Sequence, residues 1–238
     1  MSGTNVHLKM PPYFLGFELL LPESCLLEMD IDPRYIAFGS YGFVYKTLDN
    51  TKVVKVLPLN VPVPSKDCVP DNPRIELADC SRTSLEHFTD EVAMAKLCSE
   101  LGVAPTFYGS KICVAQSKVH ELHFGVPDGL VSVGLIFSAK MDMTLETYQK
   151  SRAWQRNAHV VVDLLRQLFD ILNSHYLINA DMGPSNVMVT VNDDENVQAV
   201  LMVDMGYVRQ LDKNDPSSED ELAKRRKTYF RNLEINAK

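Results

Sequence analysis

The stretch from Arg34 to Leu57 constrains the fold more than any other. "YIAF" runs into glycines at 39 and 42, "FVYKTL" follows, Asp49-Asn50 marks a tight turn, and "KVVKVL" comes after it. β-Branched and aromatic residues alternating between turn signals predict antiparallel strands, because only a strand puts every second side chain on one face.

The rest of the chain alternates between the two periods. Residues 1–33 are apolar in patches and read as an N-terminal extension packed on the strands after it. Residues 58–82 carry prolines at 58, 62, 64, 70 and 73 and read as a connector. Thr83 with Glu86 three residues on predicts a capping box, and Phe88, Glu91, Val92 and Ala95 share one helix face. Gly102 and Pro105 close that helix. Strand-like segments follow at 106–114, 119–125 and 131–138. A second helix, "AHVVVDLLRQLFDILNSHY", aligns Val161, Leu165, Leu168 and Leu172. Beyond it come "INADMGPSN", a β-hairpin, "MGYVRQLD", and a charged tail from Asp215 that ends in a helix. A strand-rich half followed by a helix-led half predicts an α+β chain of two lobes.

Composition excludes some classes. A net charge of −7 argues against a general nucleic-acid binder, whose footprint is basic. Five cysteines (Cys25, Cys68, Cys80, Cys98, Cys113) form an odd set without C-x-x-C spacing, which predicts free thiols in a reducing compartment. The N-terminus lacks a signal-peptide layout, and no apolar run approaches the roughly 20 residues a spanning helix needs. The expectation is a cytoplasmic protein with no membrane span.

Several polar residues stand where a purely structural role is uneconomical. Gly39 and Gly42 let backbone approach a phosphate, although glycines between strands more often just make a turn. Lys55 interrupts an apolar strand and wants an anion if buried; the bland alternative is an edge lysine in solvent. Glu91 could supply that anion, and is otherwise a solvated helix residue. Asp181, Asn186 and Asp204 sit at loop and strand ends, where oxygen ligands could hold Mg²⁺ or simply form Asx turns.

In their order, these residues resemble the protein-kinase signature set. "AFGSYGFV" is similar to the Gly-rich loop, with Ala37 in place of its first glycine, and "KVVK" to the strand carrying the ATP lysine. "INADMGPSN" stands for the catalytic loop and "DMG" for D-F-G. The resemblance implies a bilobal protein-kinase-like fold with a truncated helical C-lobe: an extension at 1–33, an N-lobe at 34–137 with its C-helix at about 83–101, and a reduced C-lobe at 138–238. It implies that Lys55 binds ATP phosphates and pairs with Glu91, that Asp181 orients the attacking hydroxyl, and that Asn186 and Asp204 hold Mg²⁺. Gly39 and Gly42 would cover the phosphates. "GLIFSAKM" would be the hinge, with Phe137 near the gatekeeper and Ser138 to Lys140 on adenine, and Val44, Val53 and Met188 around the base. Phe137 could equally be plain core.

The departures matter too. Asn179 and Ala180 replace the family's His-Arg, and Gly183 replaces a lysine that steadies the transferred phosphate. The sequence runs 32 residues past Gly206 (238 − 206) without an A-P-E stretch, as in compact kinases of bacterial effectors and some viruses. The expected function is an ATP- and Mg²⁺-dependent protein kinase, of Ser/Thr type, acting on a protein substrate without activation-loop phosphorylation. Two alternatives stay open: a pseudokinase scaffold, and a small-molecule phosphotransferase of the antibiotic or choline kinase type. "KRRK" at 224–227 reads as a solvated helix face or as a docking patch for an acidic or activating protein partner.

Overall fold

The period-2 alternation is realised as a seven-stranded antiparallel sheet. The computed structural model describes residues 5–8, 17–27, 29–38, 42–60, 83–119 and 129–236. The strands of the sheet are β1 (Asn5–Leu8), β2 (Phe17–Pro22), β3 (Ile31–Phe38), β4 (Phe43–Thr47), β5 (Lys52–Pro58), β6 (Phe107–Val119) and β7 (Gly129–Ala139). They lie in the order β1-β2-β6-β7-β5-β4-β3, and the outer strands β1 and β3 touch, so the sheet curls into a nearly closed barrel. Four α-helices are described: α1 (Leu85–Glu100), α2 (Leu145–Gln149), α3 (Trp154–Ser174) and α4 (Ser217–Asn236). Five short strands accompany the last three: β8 (Met143–Thr144), β9 (Leu177–Asn179), β10 (Val187–Val191), β11 (Val197–Met202) and β12 (Val208–Gln210).

This architecture corrects the expected bilobal kinase-like α+β fold with a truncated helical lobe. The chain is mostly β. Two causes are visible. The motif-free segment "FELLLP" pairs in register with β6 (Leu19 opposite Ser117) and, through β1, enlarges the sheet. In the C-terminal part β8 to β12 form a three-stranded and a two-stranded sheet among the helices.

The chain divides into two compact units, residues 1–90 with 107–140 and residues 91–106 with 141–238. In the first, Phe43, Tyr45, Val54, Val56, Val133, Leu135 and Phe137 alternate into one core. Each such side chain contributes about 1.5–3 kcal/mol by leaving water. Cys25 and Cys113 join this core as a disulfide, with Cα atoms 6.0 Å apart. That corrects the free-thiol expectation for these two residues. They lie 88 residues apart, and only the pairing of β2 with β6 brings their neighbourhoods together. Cys98 is free and buried, and burial pushes its thiol up to about 11. Cys68 and Cys80 lie outside the described residues.

Helix ends follow local chemistry. At α1 the hydroxyl that accepts from the backbone is Ser84, not Thr83: His87 N–H donates to Ser84 Oγ at 3.0 Å. Thr83 instead forms a β-bridge with Leu59. The other end is a Schellman turn on Gly102 (φ 72°), with Gly102 N–H donating to Ser99 O and Val103 N–H to Cys98 O. In the second unit Val161, Leu165, Leu168 and Leu172 are all buried along α3. Val161 and Leu165 pack with Val187, Val189 and Val200, and Leu168 and Leu172 with Leu177, Met202, Met205 and Val208. Those last four flank the loop that carries Asp181. Most of the proline-bearing connector (61–82) and of the 119–125 segment falls outside the described residues.

Candidate functional site

Within the second unit, the loop between β9 and β10 is held from both ends. Leu177 and Ile178 are buried in β9, which pairs with β12. Buried Asn179 accepts from Asp181 N–H through Oδ1 at 2.9 Å and points its amide nitrogen at Met202 Sδ. Gly183 N–H donates to Asp181 O at 3.0 Å, and Asn186 N–H to Gly183 O at 2.9 Å. Pro184 O accepts from Glu146 N–H at 3.0 Å, which anchors the loop on α2.

Asp181 and Asn186 meet directly. Asn186 Nδ2 donates to Asp181 O at 2.9 Å and to Asp181 Oδ2 at 3.0 Å. Val203 N–H donates to Asn186 O at 2.8 Å, tying the loop to the residue before Asp204. Asp204 has φ 60° and ψ 81°, a left-handed conformation, and leads into a single helical turn, Met205–Tyr207. A methyl placed on Gly206 would sit 3.6 Å from both an Asp204 and a Glu91 carboxylate oxygen. Glu91 is buried, at 6% exposure. The structure thus gathers Glu91, Asp181, Asn186 and Asp204, four of the sequence-derived residues, around the β9–β10 loop and the Asp204 turn. Met188 is half-buried on β10, opposite Thr144 and Leu201.

The remaining candidates sit in the first unit. Lys55 lies opposite Val44 and Ile136, and Val53 opposite Lys46 and Ser138. Because Val54 and Val56 point into the core, Val44, Val53, Lys55 and Ser138 share the opposite, half-buried face. Lys140 N–H donates to Thr51 O at 2.9 Å. Phe137 is fully buried in the sheet core, which is the core alternative left open for it. Gly42 has a packing reason of its own: a methyl there would come within 2.5 Å of Val56 O. Gly39 lies outside the described residues. Lys55 and Glu91 belong to different units.

One element of the site was missed in the sequence. A cleft of about 230 Å³ runs beside the loop, walled by Asn179, Ala180, Met182, Gly183 and Pro184 on one side. On the other stand Arg225, Thr228, Tyr229, Asn232 and Leu233 of α4, spaced i, i+3, i+4, i+7 and i+8 on one stripe. The available signal was polar residues recurring on a stripe that, for packing alone, would be apolar. Tyr229 Oη is buried with no hydrogen-bond partner among the described residues. Burial pushes its phenol well above the ordinary range, so it remains a neutral O–H group. Of the "KRRK" run, Arg226 pairs with Asp170 and Arg225 with Glu221, while Lys224 and Lys227 are exposed.

Among the described residues no group of three or more His, Cys, Asp or Glu side chains is placed to hold a metal. Mg²⁺ does not require one, since it takes one or two protein oxygens and completes its shell with phosphate and water. Asn186 Oδ1 is the side-chain oxygen left for such a role, because the Asn186 nitrogen is already committed to Asp181. No helix among the described residues is long and apolar enough to cross a membrane. No known protein family matches the chain, and no curated protein matches it by sequence.

Proposed function

We propose that the chain is an ATP- and Mg²⁺-dependent phosphotransferase that phosphorylates a protein hydroxyl, of Ser/Thr type, inside a cell where ATP is supplied. The observation that supports it is the Asp181–Asn186 bond at 3.0 Å, coupled through Asn186 O and Val203 to Asp204. The loop chemistry supports this reading, not the overall architecture. The acceptor oxygen attacks the γ-phosphorus as the bond to the β–γ bridging oxygen breaks, and ADP leaves. Asp181 is exposed and fixed at its backbone and carboxylate, so it can receive the hydroxyl proton. Asn186 Oδ1 and Asp204 would hold Mg²⁺, which when bound neutralises phosphate charge. In the first unit Lys55 shares a half-buried sheet face with Val44 and Val53. Ala180 offers no receptor for a loop phosphate, so activity needs no such phosphorylation and is open to a docking or activating partner.

The test is transfer of label from γ-labelled ATP with Mg²⁺ to proteins of a cell lysate. Wild-type chain labels protein, and Asp181→Asn reduces the initial rate by about 10²-fold or more at unchanged melting temperature. Equal rates for both would remove Asp181 from the chemistry. A non-catalytic scaffold is the second reading, favoured by Asn179, whose side chain is spent on holding the loop. It predicts nucleotide binding without any transfer.

A further inference from the structure

We infer that the cleft between the Asn179–Pro184 loop and α4 is the acceptor subsite, and that it selects protein segments with acidic side chains beside the accepting hydroxyl. The inference rests on the proposed phosphotransfer for its purpose, but its geometry stands alone. The cleft adjoins Asp181, whose chain neighbours Ala180 and Met182 both line it. Among the described residues no lining side chain carries a carboxylate, and the one charged group is Arg225. Arg225 gives its Nε–H to Glu221, one turn earlier on α4, at 2.8 Å. A guanidinium carries five N–H donors in a fixed fork, so that bond orients the group without exhausting it. Thr228 and Asn232 add polar groups to the wall formed by α4.

One feature argues for a ligand rather than for packing. The α4 stripe interrupts Leu222, Tyr229 and Leu233 with Arg225, Thr228 and Asn232, and so leaves space where apolar side chains would have closed it. Gly183 contributes no side chain to this wall.

The test is fluorescence anisotropy on the full chain without ATP. Two labelled serine peptides are compared, identical except that glutamates or lysines flank the serine. The acidic peptide should bind about tenfold tighter or more. Arg225→Gln should erase most of that preference and Arg225→Lys retain part of it. Equal binding of both peptides, or a preference indifferent to Arg225→Gln, overturns the subsite. If the acidic peptide binds as described but is never phosphorylated, the subsite stands and the phosphotransfer reading fails. Phosphorylation of both peptides alike has the opposite meaning.

Discussion

The side-chain nitrogen of Asn186 bonds both the backbone carbonyl and the carboxylate of Asp181, at 2.9 and 3.0 Å. One amide therefore closes the loop and aims the acid. Replacing the amide by a carboxylate keeps the shape and inverts the interaction. Asn186→Ala should cost about 1 kcal/mol of unfolding free energy in urea at neutral pH, the ordinary value of such bonds. Asn186→Asp should cost more, because two carboxylates would then face each other. Its deficit should shrink as pH falls through the carboxylate range, since protonating either acid removes the repulsion and restores a donor. A deficit independent of pH would mean that Asn186 acts by shape alone.

Asp204 separates charge from backbone. Its φ of 60° lies where only glycine, asparagine and aspartate are at ease. Asp204→Ala thus combines a lost carboxylate with about 1 kcal/mol of backbone strain, whereas Asp204→Asn tolerates the conformation. The asparagine variant should keep the wild-type melting temperature and lose phosphoryl transfer by about 10²-fold or more. Transfer at the wild-type rate in Asp204→Asn would take this carboxylate out of the metal role.

What could be read in the sequence was what is local. The alternation from Arg34 to Leu57 needs no partner to be recognised, and it forms β3, β4 and β5. Asp181 and Asn186 are five residues apart on one loop and bond each other. The α3 stripe repeats within single turns. What escaped depends on distant chain. β2 looks like a motif-free apolar patch until Leu19 lies opposite Ser117. The α4 stripe acquires meaning only when a loop some 40 residues earlier lies against it; 225 − 183 is 42. Thr83 and Ser84 offer the same hydroxyl chemistry, and the bridge to Leu59 decides between them. Phe137 reads as hinge or core from its neighbours in sequence, and the cross-strand environment makes it core.

Gly134 and Phe88 predict a coupled pair. A methyl on Gly134 would fall 2.4 Å from the Phe88 ring, so the first turns of α1 rest directly on β7 at this point. Gly134→Ala should destabilise the chain by about 1–3 kcal/mol through overpacking, and Phe88→Ala by about 3–5 kcal/mol through the cavity it leaves. The double variant should cost clearly less than the sum, because the new methyl occupies space that the ring vacates. Denaturant unfolding of the four proteins measures the coupling; strict additivity would mean that the sheet moves aside instead.

The disulfide leads to the last prediction. Cys25–Cys113 ties the turn at Glu23–Cys25 to β6 inside the sheet core, and neither cysteine is among the residues assigned to phosphate or metal. It closes 88 residues of chain, and a native bridge typically contributes about 2–5 kcal/mol, more for longer loops. A bond of this kind persists in an oxidising medium, whereas ATP is supplied in a reducing one. The two demands are reconciled if the bond stabilises the sheet without being needed for transfer. Reduction should then lower the melting temperature, and Cys25→Ser/Cys113→Ser should do the same and lose all sensitivity to reductant. Initial rates of Asp181-dependent transfer should match between oxidised and reduced protein at temperatures below both transitions. If reduction silences transfer while the sheet remains folded, the bond is a redox control on the activity and not a staple.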